Sequence, residues 1–463
     1  MDYKLYSKDS FANFSPFAAV ITVSLMASLF GVNLGAIFIY KYQLMYRFML
    51  EHYEIDNVLC IFFIGALAGV FLGGWIIYGS GRKSGLLCGF IVGLAANCTA
   101  LLSPAFSTLL LSEFAAGGAF GIYLVSAIIY ISEISSPSRR GTGCSLIAVF
   151  LIAGIEISLI CGEYQLPASV FMVSVMLASS VVLSLLTLLR VPESPRWLAM
   201  AGFTDAALIE LYHLRQELFK AARELAQIND CCKSQDKGLG FFIQSYSYRR
   251  LLWLLVMLSI LLHLSGICFI PYISFKFLAY YQHPSGQLLL WHYDFHYELV
   301  KSAVTVALFG AVSAAIAVDR VGRISSMFVC AGLIMLLYLS LAAVVLLELR
   351  GINSVLLSVT FLFFIFASSM MFFIFLFVFV CEMLPLRGRE LGMAVVIFIN
   401  IACILVASGI VGDLEVSHSL GYWFALFFLF TAVFAFIVFF MLPDTNNFSL
   451  ERLEEKLMHD FAG

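Results

Sequence analysis

The sequence predicts an all-α membrane protein of twelve helical spans, built as two six-helix halves around a central cavity. Three observations carry that expectation. Of 463 residues, 62% are hydrophobic and 12% charged, at a mean hydropathy of +0.99, which excludes a water-soluble globule. Apolar runs long enough to cross a bilayer, about 20 residues each, recur along the chain. Two polar signatures also repeat about half a chain apart. Glu133-x3-Pro137-x-Arg139-Arg140-Gly141 returns as Glu382-x2-Pro385-x-Arg387-Gly388-Arg389, and Gly81-Arg82-Lys83 returns as Asp319-Arg320-Val321-Gly322-Arg323. Such duplication in a polytopic chain points to two halves that rock about a central site.

The first half, residues 1–191, holds runs at 14–39, 57–78, 85–104, 107–132, 143–162 and 167–189. The second half, 251–442, holds 251–280, 297–317, 325–347, 354–381, 390–412 and 420–442. A polar linker, 192–250, joins them, and a polar tail, 443–463, follows. Arg82 and Lys83, Arg139 and Arg140, Arg320 and Arg323, and Arg387 and Arg389 fall in alternate loops, so the positive-inside rule puts those loops, the linker and both termini in the cytoplasm. The first run is too long for a cleavable signal and lacks a small-residue cleavage site, so it is expected to be retained. The chain is thus expected to be integral to a plasma or inner cell membrane, with the bilayer as partner and no nucleic acid.

Most of the 11 cysteines lie inside spans, where they act as small apolar residues, and no metal site is expected. His283, His292 and His296 offer no third ligand at motif spacing. In the linker, good helix formers after Thr204-Asp205 predict one or two helices up to about Ile228 on the membrane face. Arg215, Lys220 and Arg223 are placed there to meet anionic headgroups. The Phe-rich stretches 361–366 and 372–379 read as lipid-facing and packing surface.

Pro192-Glu193-Ser194-Pro195-Arg196-Trp197-Leu198, directly after the sixth run, resembles the sugar porter signature of the major facilitator superfamily. Tyr130-Ile131-Ser132-Glu133-Ile134, Leu264-Ser265-Gly266-Ile267, Asp319-Arg320-Val321-Gly322-Arg323 and Pro443-Asp444-Thr445 with Ser449-Leu450-Glu451 extend the resemblance along the whole chain. One stretch departs from it: Glu390 stands where sugar porters usually place Gly, a spacing shared with organic ion transporters.

The loop motifs read as a cytoplasmic gate: Arg82, Glu133, Arg139, Arg140, Glu193, Arg196, Asp319, Arg320, Arg323, Glu382, Arg387 and Arg389. Charge-assisted pairs among them would hold the halves together while the other side is open. Tyr78 and Gly79 replace the family's Asp and Arg, so the first-half loop is expected to latch more weakly.

A sugar needs polar partners, because each stranded hydroxyl costs roughly 1–3 kcal/mol. Most of the positions that the resemblance assigns to sugar contacts are not the family's residues here: Ala148, Leu262, His263, Cys268, Ala307, Phe377 and Ile401 stand at them, and Asn400 alone matches. Asn33, where proton-coupled members carry Asp, argues for uniport. Glu113 replaces a basic residue in the fourth run. With Glu156, it is an acid inside a span, a place usually reserved for a proton site or a counter-ion. His263 is a further candidate for binding or proton sensing. The expected activity is alternating-access transport of a small organic solute, a sugar or polyol, as facilitator or proton symporter, without cofactor or covalent chemistry. An organic cation as cargo and a non-transporting sensor are the alternatives.

Overall fold

A computed structural model describes residues 16–49, 52–101, 105–163, 182, 191–231, 237–269, 292–347, 354–412 and 419–461. Among them there is no strand, and 11 helices are long and apolar enough to span a membrane. The sixth predicted run, 167–189, lies outside the described residues apart from Val182, as does the end of the seventh.

In the first half the spans are α1 (Pro16–Phe48), α2 (His52–Ser80), α3 (Arg82–Leu101), α4 (Phe106–Ile134) and α5 (Arg140–Glu163). The linker contributes α6 (Pro195–Met200), α7 (Thr204–Arg215), α8 (Leu218–Cys231) and α9 (Leu239–Gln244). The second half holds α10 (Tyr246–Leu262), α11 (His292–Ala317), α12 (Arg323–Leu346), α13 (Ser354–Phe373), α14 (Arg389–Gly412) and α15 (Ser419–Met441), and the tail forms α16 (Leu450–Asp460).

In a bilayer, helices associate by close packing rather than by the hydrophobic effect, so small residues mark their contacts. Gly65, Gly69 and Gly73 recur every fourth residue on α2, and a Cβ on each would strike the backbone of Phe114, Gly118 and Ile122 on α4. Gly31 of α1 meets the Leu151 carbonyl of α5 in the same way, and Gly154 meets Ser28. The halves touch along two seams, α5 on α11 and α2 on α14.

Two spans are interrupted. A wide π turn, His263–Ile267, follows α10, and Gly266 inside it takes φ 89°. Another, Ile374–Phe379, follows α13 before the chain resumes as Val380–Met383. All six residues of that second turn are buried, so this part of the Phe-rich stretch is core and does not face lipid. Phe363, at 55% exposure, keeps the expected outward position.

From Thr204 onward, where one or two helices were expected, the linker forms α7 and α8, the first closed by Gln216 in the left-handed region at φ 58°. Arg215 does not reach for headgroups: its Nε donates to Glu224 at 2.8 Å, and its Nη1 to the Ile134 carbonyl. The exposed Lys220 instead pairs locally with Glu217 at 2.6 Å. The ten described cysteines are free thiols.

Candidate functional site

At the linker end of the bundle each half builds the same cluster from its own motifs. Arg82 opens α3 and grips Glu133, near the end of α4, with two prongs, Nε to Oε2 at 2.9 Å and Nη2 to Oε1 at 3.0 Å. Arg323 opens α12 and grips Glu382 in the same way at 3.0 and 2.9 Å. Ser194 donates to Glu133 as Thr445 donates to Glu382. Both arginines follow a glycine of positive φ, Gly81 at 97° and Gly322 at 100°. A side chain at either glycine would meet a carboxylate, Glu193 in one half and Asp444 in the other. Glu193 also accepts from the Arg82 amide at 2.9 Å, satisfying a donor at the start of α3 that would otherwise be unpaired, and from the neighbouring Ser194 amide at 2.8 Å.

The halves then exchange charges. Arg389 lies 3.4 Å from Glu133, and Arg140 lies 3.5 Å from Glu382. These four side chains and the two gripping arginines are almost wholly buried. Buried ion pairs are held by geometry and by further hydrogen bonds, and removing one partner strands the other.

The first-half cluster has a further contact between the halves. Glu390, the residue that breaks the sugar porter pattern, approaches Arg82 across the seam at 2.7 Å, so that side carries two ion pairs between halves. The second side adds backbone contacts in place of the second pair. Asp319 accepts from the Gly141 and Thr142 amides at 3.1 and 2.7 Å, at the start of α5. Tyr78, at the equivalent position, is 46% exposed. Of the residues expected in the gate, Arg139 and Arg320 are exposed and outside the buried clusters. Arg387 is set apart as well: it stacks over Phe241 at 4.3 Å and approaches Glu454 at 4.0 Å.

Linker and tail close over this layer. Arg196 donates to Glu451 of α16 at 2.8 Å, to Glu224 of α8 at 3.1 Å and to the Glu133 carbonyl. Burial works against ionisation of Glu451, yet the Arg196 guanidinium overrides it and holds the carboxyl down at about 2. Glu210 of α7 has the opposite balance. Burial and the nearby Glu193 outweigh Lys83, and its carboxyl is pushed up to about 7. Sequence reading missed Glu210, Glu224 and Glu454, whose spacing on linker and tail helices gives no sign of what they face.

Deeper in the bundle, the span candidates fall into separate groups. Asn33 of α1 donates to Asn97 of α3 at 3.2 Å, and both line a small pocket with Phe30, Phe90 and Ala116. In the second half, the Asn400 amide donates to the Val396 carbonyl at 2.8 Å, so its Oδ1 faces His263 Nε2 at 3.0 Å as an acceptor. That assigns the proton to Nε2 and leaves Nδ1 to accept from Cys268, 2.8 Å away. Three positions of the family's sugar contacts, 263, 268 and 400, are thereby joined in one hydrogen-bond chain. Glu156 of α5 accepts from Thr305 of α11 across the seam at 2.9 Å. Two serines in these spans do not take an acid: Ser126 and Ser158 donate to the Ile122 and Val32 carbonyls. Glu113 is buried, and its Oε2 has no hydrogen-bond partner among the described residues. His283 and the His292 and His296 side chains lie outside the described residues.

The family model for sugar (and other) transporters matches residues 19–457. The chain belongs to that family. This sugar porter is 26% identical over 474 residues to the galactose-proton symporter of Escherichia coli, covering 96% of this chain and 94% of the relative. It is 25% identical over 466 residues to that organism's arabinose-proton symporter, covering 95% and 92%. Among solved structures it matches the proton:xylose symporter XylE bound to 6-bromo-6-deoxy-D-glucose, with a TM-score of 0.77 at 18% identity over 95% of this chain and 98% of that one. The inward open conformation of XylE matches at 0.63, with 18% identity over 95% and 99%. The fold is that of the major facilitator superfamily, and the sugar porter is an integral membrane transporter rather than an enzyme.

Proposed function

We propose that this sugar porter carries a small sugar or polyol by alternating access, and that the described structure is the state closed on the linker side. The observation behind the reading is the pair of reciprocal contacts between halves, Arg389 with Glu133 and Arg140 with Glu382. A latch of this kind has a use only if it can part, and the α5–α11 and α2–α14 seams would part with it. The positive-inside rule makes this side the cytoplasm, with residues 1–191 and 251–442 as the rocking halves. The galactose- and arabinose-proton symporters among the relatives support a monosaccharide as cargo.

Asn33, hydrogen-bonded to Asn97, cannot take up or release a proton, so coupling would fall to Glu113, whose buried Oε2 has no partner among the described residues. That oxygen and Glu156 Oε2, likewise without a hydrogen-bond partner among the described residues, favour the second reading, an organic cation as cargo. The test is uptake of labelled galactose, arabinose and xylose by the purified chain in liposomes, with and without an imposed pH gradient. Saturable sugar uptake supports the first reading, and stimulation by the gradient adds symport. Uptake of a quaternary amine without sugar uptake supports the second. No uptake of either by folded protein overturns both.

A further inference from the structure

The linker ends in a short helix whose two faces differ. On α9, Leu239 and Ile243 are 66% and 67% exposed, while Phe241 between them is 4% exposed. On α10, Tyr246, Arg250, Trp253, Met257 and Ile260 are exposed, in alternating steps of four and three. That spacing marks one helical stripe, apolar apart from Arg250. From Tyr246 the stripe belongs to a membrane span, so it faces acyl chains. Ser245, in extended conformation at φ −89° and ψ 108°, breaks the helix and turns α9 off the span axis next to that lipid-facing stripe.

Aromatic residues mark the depth. Tyr246 and Trp253 on one side and Trp75 and Tyr78 on the other are exposed, and Tyr78 lies beside Gly238 at the start of α9. Tyr and Trp gather where headgroups meet chains. The carbonyls of Phe242 and Ile243 at the end of α9 accept from Arg249, which keeps this end of the short helix satisfied in that layer.

The inner face of α9 holds the latch. Phe241 stacks on Tyr248 at 5.0 Å and carries the Arg387 guanidinium at 4.3 Å. The Gly238 amide donates to the Arg387 carbonyl at 2.8 Å, and the Tyr248 hydroxyl to the Gly388 carbonyl at 2.6 Å. The next residue, Arg389, is the one that crosses to Glu133.

We propose that α9 is a membrane-surface element. Its Leu239 and Ile243 face, with Tyr246 at the start of α10, seats in the headgroup and acyl boundary of the linker-side leaflet, and Phe241 passes that seating to the 385–389 turn of the latch. The bilayer is the occupant because the exposed face adjoins a span's lipid stripe and is framed by interfacial aromatics. The inference does not depend on which solute is carried.

The first test is Ile243→Trp in the full-length chain, reconstituted in phosphatidylcholine brominated on the upper acyl carbons. Emission above that of the unsubstituted chain is expected to be quenched at least ~two-fold more by the brominated lipid than by aqueous iodide. The reverse order would overturn the seating and leave the face open to a soluble partner. The second test is amide hydrogen exchange across residues 385–392. Leu239→Asp with Ile243→Asp should speed it several-fold, and so should Phe241→Leu, which keeps an apolar side chain but removes the ring beneath Arg387. Unchanged exchange in Phe241→Leu, whether or not the double variant folds, would overturn the transmission.

Discussion

Arg389, in the second half, reaches to 3.4 Å from Glu133, a carboxylate that Arg82 of the first half already holds by two hydrogen bonds. With Glu390 on Arg82, two acids and two bases form a buried set of zero net charge that exists only while the halves are together. Glu133→Gln leaves both guanidiniums short of a counter-charge, at a cost of about 3–5 kcal/mol to the closed linker side. Label-to-label distances between the linker ends of α4 and α14 should lengthen in that variant. Arg139→Ala, at an exposed position outside the set, should stay within about 0.5 kcal/mol of the unsubstituted chain.

In the proposed latch, the second side rests on Asp319 and the amides that open α5. Asp319→Ala removes charge-assisted bonds of roughly 1.5–3 kcal/mol and so favours the linker-side-open state by about ten-fold or more. Alkylation of an engineered cysteine on the linker side of the α5–α11 seam would report the change as a faster rate, and an unchanged rate would count against the latch.

Gly266 lies at φ 89°, where a Cβ would meet the Tyr338 hydroxyl and lie 2.9 Å from the Phe427 ring. Tyr338 donates its hydroxyl to the Ser265 carbonyl, so it cannot yield without stranding that group. Gly266→Ala should cost about 1–3 kcal/mol, read as a lower melting temperature in detergent.

Glu210 predicts a pH response of the linker. Its carboxyl is raised to about 7 when α7 is docked, so the docked state binds the proton more tightly than the undocked state. Stability from this group is full below the ordinary carboxylate range and is lost as pH rises through about 7, by a few kcal/mol at most. Glu451, held at about 2, has the opposite sign: its contribution is present at neutral pH and is lost only as pH falls from the ordinary carboxylate range through about 2. Protection factors in α7, taken relative to the intrinsic exchange rate at each pH, should therefore fall several-fold between about pH 5.5 and 7.5, and Glu210→Gln should flatten that change.

In the spans, Glu113→Gln should abolish accumulation driven by a pH gradient while sparing sugar exchange in liposomes. Full accumulation by that variant would remove Glu113 from coupling. Thr305→Val deprives Glu156 of its partner across the seam, and should destabilise the α5–α11 contact by about 1–3 kcal/mol. A lower melting temperature that Glu156→Gln partly restores would confirm the pairing.

Much of the ion-pair cluster was legible because its chemistry is duplicated. Arg82 with Glu133 and Arg323 with Glu382 stand at matching places in repeated motifs, and a repeat speaks for itself without a structure. Glu390 was visible only as a departure from pattern, since nothing local says that α14 brings it to Arg82. Arg139 and Arg140 are adjacent in sequence, yet one faces solvent and the other is fully buried, a difference set by where α5 begins.

By itself, the sequence determined what depends on local chemistry. Long apolar runs must close their own backbone hydrogen bonds as helices in a bilayer, and polar signatures must lie at the ends of those helices. Tertiary structure decided which charge meets which, because Arg389 and Glu133 stand 256 residues apart and only the packing of the two halves joins them. It also decided that His263, Cys268 and Asn400 form one chain, that Glu156 finds Thr305, and that one oxygen of Glu113 has no partner among the described residues. Those outcomes turn on side-chain directions fixed by helix rotation and by the π turn after α10, neither of which a hydrophobic pattern encodes.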